Sequence, residues 1–353
     1  MKRIVLMVLW LCALLCGCDA LEPLPGSPGD GDRVLLELVP QCGPAGTRSG
    51  HNPGSDPPEP DDVIWDGVIL EFNGDGNLLE MLTFEGSQPP PIEVRKNQEM
   101  QIYVVANPTV DLSGVSTLQE FLSSKSDYAS NTRQRLEMTG HFGGVFTADA
   151  QVTVQMERLL SKIQIDGMLF RVHNSEIYTS VGFERGYMEK APPACGYDLS
   201  LPGNYVNAYM RGIAVGCTSS YSGHVTKYTQ GEYNLWEYDT PWAVYCYPNA
   251  SQNQDERNRL AVWYRMRYTV TGIDSETGET VVMQRYDDAC IRLVLPPLRP
   301  NTVYELENLI LNGWKSSTVY LKSGEEPLKC VFRMTDMTSG EYLGKVEGEV
   351  CHD

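Results

Sequence analysis

The chain has 353 residues, a formal charge of −18 at pH 7 and 42% hydrophobic residues. This acidity argues against nucleic acid and anionic membrane surfaces as partners, because both repel a negative protein. Gly 32, Pro 22 and Tyr 19, with few long Ala/Leu/Glu stretches, favour β-structure over helical bundles.

Lys2 and Arg3 precede an apolar run from Ile4 to Leu14, which closes at Leu15-Cys16-Gly17-Cys18. A short basic segment, an apolar run too short to span a bilayer and a small residue at the junction form a secretory signal. Leu-x-Gly-Cys is also the pattern of a bacterial lipoprotein signal, in which Cys18 is acylated and becomes the new first residue. Residues 1–18 are therefore expected to direct export through the periplasm, and a lipid on Cys18 to tie the protein to the outer membrane.

Residues 19–32 are rich in Pro, Gly and Asp and read as a tether. Val34-Leu35-Leu36-Glu37-Leu38-Val39 predicts a short apolar strand ended by Pro40. Residues 41–62 return to Gly, Pro, Asp and Asn, a polar loop that carries Arg48 within Gly46-Thr47-Arg48-Ser49-Gly50. A hairpin over residues 68–84 follows, turned by Asn73-Gly74-Asp75-Gly76, where such residues supply positive φ. Pro89-Pro90-Pro91 marks another loop, and residues 99–106 read as a strand ending at Asn107-Pro108. Leu118, Phe121 and Leu122 stand at helical spacing, with Ser116 as the expected N-cap and Glu120 in the first turn. Residues 152–156 and 160–165 are the next predicted strands.

The second half crowds with tyrosine. Strands are predicted over residues 242–247, 260–271, 290–295, 303–311, 319–322, 329–334 and 342–350. Many short strands and one helix imply β-sandwiches, with a domain boundary near Arg158.

Of the ten cysteines, Cys12, Cys16 and Cys18 belong to the signal and lipid site, and Cys42 stands alone. Cys195, Cys217, Cys246, Cys290, Cys330 and Cys351 lie in the second half. In an exported domain these six are candidates for disulfides, with a pairing that spacing leaves open, buried free thiols being the alternative. No spacing is CxxC and no His pair stands at ligand spacing, so neither a metal nor a cofactor is expected. Tyr221, Tyr228, Tyr233, Trp236 and Tyr238 form a candidate adhesive surface for sugars or proteins, against the alternative that they alternate into a core. The histidines are scattered, Ser222-Gly223 and Ser339-Gly340 lack the preceding glycine of a nucleophile elbow, and Asp287-Asp288 reads as a solvated turn. Nothing here makes a case for an enzyme.

Taken together, these landmarks resemble the fimbrillin, or type V pilin, family of Bacteroides-like bacteria. The matching stretches are the lipobox at Cys18, the strand-loop-Arg unit at residues 33–48, Tyr103-Val104-Val105-Ala106-Asn107-Pro108, Met138-Thr139-Gly140 and Arg158-Leu159-Leu160-Ser161-Lys162-Ile163. Trp242 through Asn249 and Leu298-Arg299-Pro300-Asn301-Thr302-Val303-Tyr304-Glu305-Leu306 complete the series. The resemblance implies a mostly β protein of two transthyretin-like β-sandwich domains, with one short helix in the first. The expected division is a signal over 1–18, a tether and removable strand over 19–48, and sandwiches over 49–158 and 159–353. It further implies that a trypsin-like surface protease cuts after Arg48, that the strand bearing Val34, Leu35, Leu36, Leu38 and Val39 leaves, and that another fimbrial subunit fills the vacated groove by donor-strand exchange. A host glycan or protein would be the ligand of an adhesive member.

This chain departs from the family at its end, Glu347-Gly348-Glu349-Val350-Cys351-His352-Asp353, where a Trp-bearing motif is usual. That departure, with the late cysteines and the Tyr-rich stretch, suits a tip or accessory subunit. The alternatives are a lipid-retaining fimbrial anchor and a surface glycan-binding lipoprotein that never polymerises.

Overall fold

A computed structural model describes residues 33–42, 62–132, 134–165, 167–173, 178–200, 206–208, 225–238, 242–249, 251, 253, 256–306, 309–312, 329–337, 339 and 341–351. Strands dominate it. The first half contributes β1 (Arg33–Gln41), β2 (Asp66–Asn73), β3 (Leu78–Glu85), β4 (Ile92–Arg95), β5 (Glu99–Ala106), β6 (Lys125–Asp127), β7 (Met138–Val145), β8 (Ala150–Gln155) and β9 (Glu157–Arg158). A three-stranded sheet in the order β4-β1-β8 faces a five-stranded sheet in the order β3-β2-β5-β7-β9. Between them lies one core, to which β1 gives Val34, Leu36 and Leu38, β4 gives Ile92 and Val94, β8 gives Val152 and Val154, and the facing sheet gives Ile69, Ile102 and Val104.

Period-two alternation explains how each strand chooses its inward face. In β8 it is strict, with Ala150, Val152 and Val154 buried and Gln151, Thr153 and Gln155 exposed. β2 is buried on both faces. Ile69 faces the first core, while Val68, Leu70 and Phe72 face a second, larger one. A near-continuous apolar run is what such a strand requires.

Phe121, on the helix Leu118–Ser123, enters that larger core. The N-cap is Thr117, one residue later than the sequence suggests. Thr117 Oγ1 accepts from Glu120 N at 3.2 Å, and the Glu120 carboxylate accepts from Thr117 N at 3.1 Å and Ser116 N at 2.9 Å. Ser116 thus donates into a capping box formed by Thr117 and Glu120.

The second half adds β10 (Ser161–Ile165), β11 (Met168–His173), β12 (Tyr178–Ala191), β13 (Ala194–Gly196), β14 (Val206–Ala208), β15 (Val225–Gln230), β16 (Tyr233–Tyr238), β17 (Trp242–Cys246), β18 (Arg259–Ile273), β19 (Thr280–Val294), β20 (Thr302–Leu306), β21 (Leu309–Asn312), β22 (Lys329–Asp336) and β23 (Tyr342–Cys351). A nine-stranded sheet runs β14-β12-β18-β19-β23-β22-β20-β10-β17, and a four-stranded sheet runs β15-β16-β11-β21. Their facing sides, including Ile163, Phe170, Trp236, Tyr264 and Tyr304, share the larger core with Leu70 and Phe72 of the first half. The halves also share a ladder, because β6 pairs antiparallel with β13.

Several expectations change. β1 continues through Pro40 to Gln41, since Pro40 sits at the Val154 register of a parallel ladder and Gln41 O still accepts from Met156 N at 2.9 Å. The single strand expected over residues 303–311 is two strands, β20 and β21, which join different sheets. Asp287 and Asp288 lie within β19, not in a turn; the Tyr178 hydroxyl donates to Asp287 at 3.0 Å, and Arg265 donates to both Asp288 oxygens at 2.7 and 3.1 Å. The predicted strand over 319–322 lies outside the described residues. No helix among the described residues is long and apolar enough to cross a membrane.

Candidate functional site

The seat of β1 is the most informative arrangement in the molecule. β1 is the central strand of its sheet, with both edges bonded. Arg33 to Leu36 pair antiparallel with Arg95 to Ile92 of β4, while Leu36 to Gln41 pair parallel with Ala150 to Gln155 of β8. Side chains reinforce both ladders. Asp149 Oδ1 accepts from Leu35 N at 2.8 Å, Gln155 Nε2 donates to Gln41 Oε1 at 2.9 Å, and Arg33 Nη1 approaches Glu93 at 3.4 Å.

Of the five apolar residues predicted for this strand, Val34, Leu36 and Leu38 are buried. Leu35 is half-buried and Val39 is exposed, so the strand has one working face and not an all-round apolar surface. Arg33 is the first residue of the strand. Withdrawing β1 would leave a groove floored by the five-stranded sheet, with the unpaired edges of β4 and β8 as its walls.

One end of this groove is polar. Glu71 of β2 is only 5% exposed and stands opposite Glu80 of β3. Burial, and secondarily the Glu80 charge, push its carboxyl up to about 7, while Arg33 and Arg95 pull the other way. At the other end lies Arg158, with 1% exposure. Its Nη2 donates to the Cys42 carbonyl at 2.9 Å and is ion-paired with Asp62. Its main-chain N and its Nη1 donate to Asn301 Oδ1 at 3.2 and 3.3 Å. Arg158 therefore ties together the chain just after β1, the chain just before β2 and the turn ahead of β20.

Cys18, Arg48, Cys217 and Tyr221 lie outside the described residues, as do the side chains of Cys330 and Cys351. Cys195, Cys246 and Cys290 carry free thiols, as does Cys42, which corrects the expected disulfide framework at these positions. Cys195 and Cys246 are fully buried in the larger core. Burial pushes the Cys195 thiol up to about 12, and raises Cys246 and Cys290 as well. Such thiols pack as small hydrophobes.

The adhesive aromatic set is also corrected. Trp236 and Tyr238 are 3% exposed and belong to the core. The Tyr238 hydroxyl donates to Val181 O at 2.7 Å and accepts from Phe183 N at 3.3 Å. Tyr233 is half-buried under the Arg171 guanidinium, 3.9 Å from its ring centre, and Tyr228 alone of the four described residues is exposed. Strand alternation divides them between the two faces of their sheet. No sequence spacing reveals the Arg158 node or the Glu71 end, because their partners lie far away in the chain.

No family model matches this sequence, and no curated protein matches it. Similar solved structures include a candidate cell adhesion protein from Bacteroides eggerthii, with 17% identity, a TM-score of 0.49, and coverage of 92% of this chain and 96% of that one. Another is a fimbrial assembly protein from Parabacteroides distasonis, with 11% identity, a TM-score of 0.44, and coverage of 89% and 98%. A third is a fimbrilin from Porphyromonas gingivalis, with 12% identity, a TM-score of 0.45, and coverage of 80% and 91%. These three solved chains are described as fimbrial or cell-adhesion proteins.

Proposed function

We propose that this chain is a surface subunit of a bacterial fimbria, exported as a lipoprotein acylated at Cys18 and assembled by strand exchange after cleavage at Arg48. In this scheme a trypsin-like protease hydrolyses the Arg48–Ser49 bond, residues up to Arg48 depart with β1, and an extended segment of the next subunit takes the vacated seat. The observation that supports this reading is the position of β1. It is bonded along both edges and supplies three buried side chains to the first core, yet only the stretch 42–65 joins it to β2.

The energetics suit a temporary occupant. Three buried aliphatic side chains contribute on the order of 6 kcal/mol before entropy. That is enough to hold an attached strand while leaving it replaceable by another of like pattern. An open groove would otherwise be an uncontrolled pairing edge, so keeping it filled until delivery prevents premature association. The resemblance of the strand-loop-Arg unit to that of the fimbrillins points the same way.

Intact-mass and N-terminal sequencing of surface material test the proposal. A terminus at Ser49 in fibres, and loss of fibres with a lipid-bearing Arg48→Ala chain, are expected. Fibres containing chains that still begin at acylated Cys18 would overturn it.

A further inference from the structure

We propose that Arg158 is the residue that grips the trailing end of whichever strand occupies the groove, so that a donor from another subunit must present a main-chain carbonyl one residue beyond the ladder. The inference rests on the strand-exchange reading and adds to it the chemistry by which the incoming strand is held.

Along β8 the ladder ends where Met156 N donates to Gln41 O at 2.9 Å. The next contact to the departing chain is made by a side chain, since Arg158 Nη2 donates to Cys42 O at 2.9 Å. Arg158 thereby extends the grip on the strand by one residue after the main-chain ladder has stopped. Guanidinium nitrogens only donate, and the group stays charged in proteins. At 1% exposure it depends on protein acceptors, and a hydrogen bond from a charged donor is stronger than a neutral one. Because the acceptor is a main-chain oxygen, any extended peptide of sufficient length can supply it, whatever its side chain.

Cleavage at Arg48 divides these three partners of Arg158 unequally. Cys42 leaves with β1, whereas Asp62 and Asn301 remain in the mature chain. Asn301 is itself fixed, since its Nδ2 donates to Asp336 at 3.0 Å, its N donates to Leu160 O at 3.0 Å and its O accepts from Met337 N at 2.8 Å. Asp62 and Asn301 therefore hold the guanidinium in place when the groove empties, with one acceptor gone. The incoming strand meets a donor already oriented, which spares the ordering cost of forming the contact.

The test uses the full chain nicked by trypsin at Arg48, the single Lys or Arg between positions 43 and 61. The nicked protein is chased with labelled peptide amides covering residues 33–42 and 33–41, and the lifetime of each bound peptide is measured. The longer peptide should be held about tenfold longer, the effect of one charge-assisted hydrogen bond. A 33–42 peptide with glycine in place of Cys42 should match it, because the carbonyl and not the thiol is bound. In the nicked Arg158→Met protein the three peptides should be held equally. Equal lifetimes in the wild-type protein would overturn the inference even if the variant fails to fold. A nicked protein that never exchanges its first strand would overturn the strand-exchange reading and this inference together.

Discussion

The Tyr197 hydroxyl donates to Glu137 Oε1 at 2.5 Å, joining the second half of the chain to the first through a carboxyl with no solvent exposure. Thr109 N and Oγ1 also donate to this carboxyl, at 3.1 and 2.8 Å, and Glu137 N donates to Asn131 Oδ1 at 2.8 Å. Nearby, Ser126 Oγ donates to the Tyr247 oxygen at 2.6 Å and the Tyr128 hydroxyl donates to Tyr245 O at 2.6 Å. The junction between the halves is a buried polar network as well as an apolar core. Burial raises the Glu137 carboxyl, and the hydrogen bonds from Tyr197 and Thr109 oppose that rise.

Replacing Tyr197 with Phe should therefore lower stability by about 1–3 kcal/mol, the penalty for leaving a buried acceptor short of a donor. Losing a donor that favours the ionised form raises the Glu137 carboxyl further. The loss of stability with rising pH should then be steeper in Tyr197→Phe than in the wild type. Denaturant melts at pH 5 and pH 8 would measure both effects.

Glu71 provides a second pH prediction. Its carboxyl titrates near 7 in the folded protein, above its ordinary value of 4.5, so the folded state binds the proton more tightly than the unfolded state does. Its contribution is fully present below pH 4.5, declines as pH rises and is lost above about 7. Glu71→Gln should flatten the dependence of the melting temperature on pH across this window and raise stability at pH 8 by on the order of 1–3 kcal/mol.

The one-faced character of β1 predicts unequal substitutions within a single strand. Leu36, fully buried in the first core, should cost about 2–5 kcal/mol on replacement by Ala. Val39, 39% exposed on the opposite face, should change stability by no more than about 0.5 kcal/mol. Chemical denaturation of the uncut chain followed through the first sandwich would show the difference.

Gly140 marks a close approach. A Cβ there would sit 2.5 Å from Val154 Cγ1, 2.8 Å from Gln155 O and 2.8 Å from Met156 Sδ. Gly140→Ala would push β7 away from the β8 edge that β1 pairs with, and should destabilise the first sandwich by about 1–3 kcal/mol.

The thiols give a chemical test of the core. Cys195 and Cys246 are buried with raised pKa values, and the thiolate is the reactive form. Iodoacetamide at pH 8 should leave both unmodified in the folded protein and alkylate both in denaturant, as read by peptide mass spectrometry.

Local pattern made much of this chain legible. The apolar run from Val34 to Val39, the Asn73 to Gly76 turn and the run ending at Asn107-Pro108 each specify their element from a few neighbouring residues, because strand propensity and turn chemistry are local properties. The sequence also marked the helix, but misplaced its cap by one residue, since Ser116 and Thr117 are chemically alike and only backbone geometry separates them. Which aromatics face solvent was beyond its reach. Trp236 and Tyr228 have similar propensities, and their exposure depends on which sheet covers them. The partners of Arg158 at Cys42, Asp62 and Asn301 are distant in the chain, so no spacing rule links them. Strand identity is determined by near neighbours, whereas the pairing of β1 with both β4 and β8, and the buried charge at its end, arise only when distant segments close on one another.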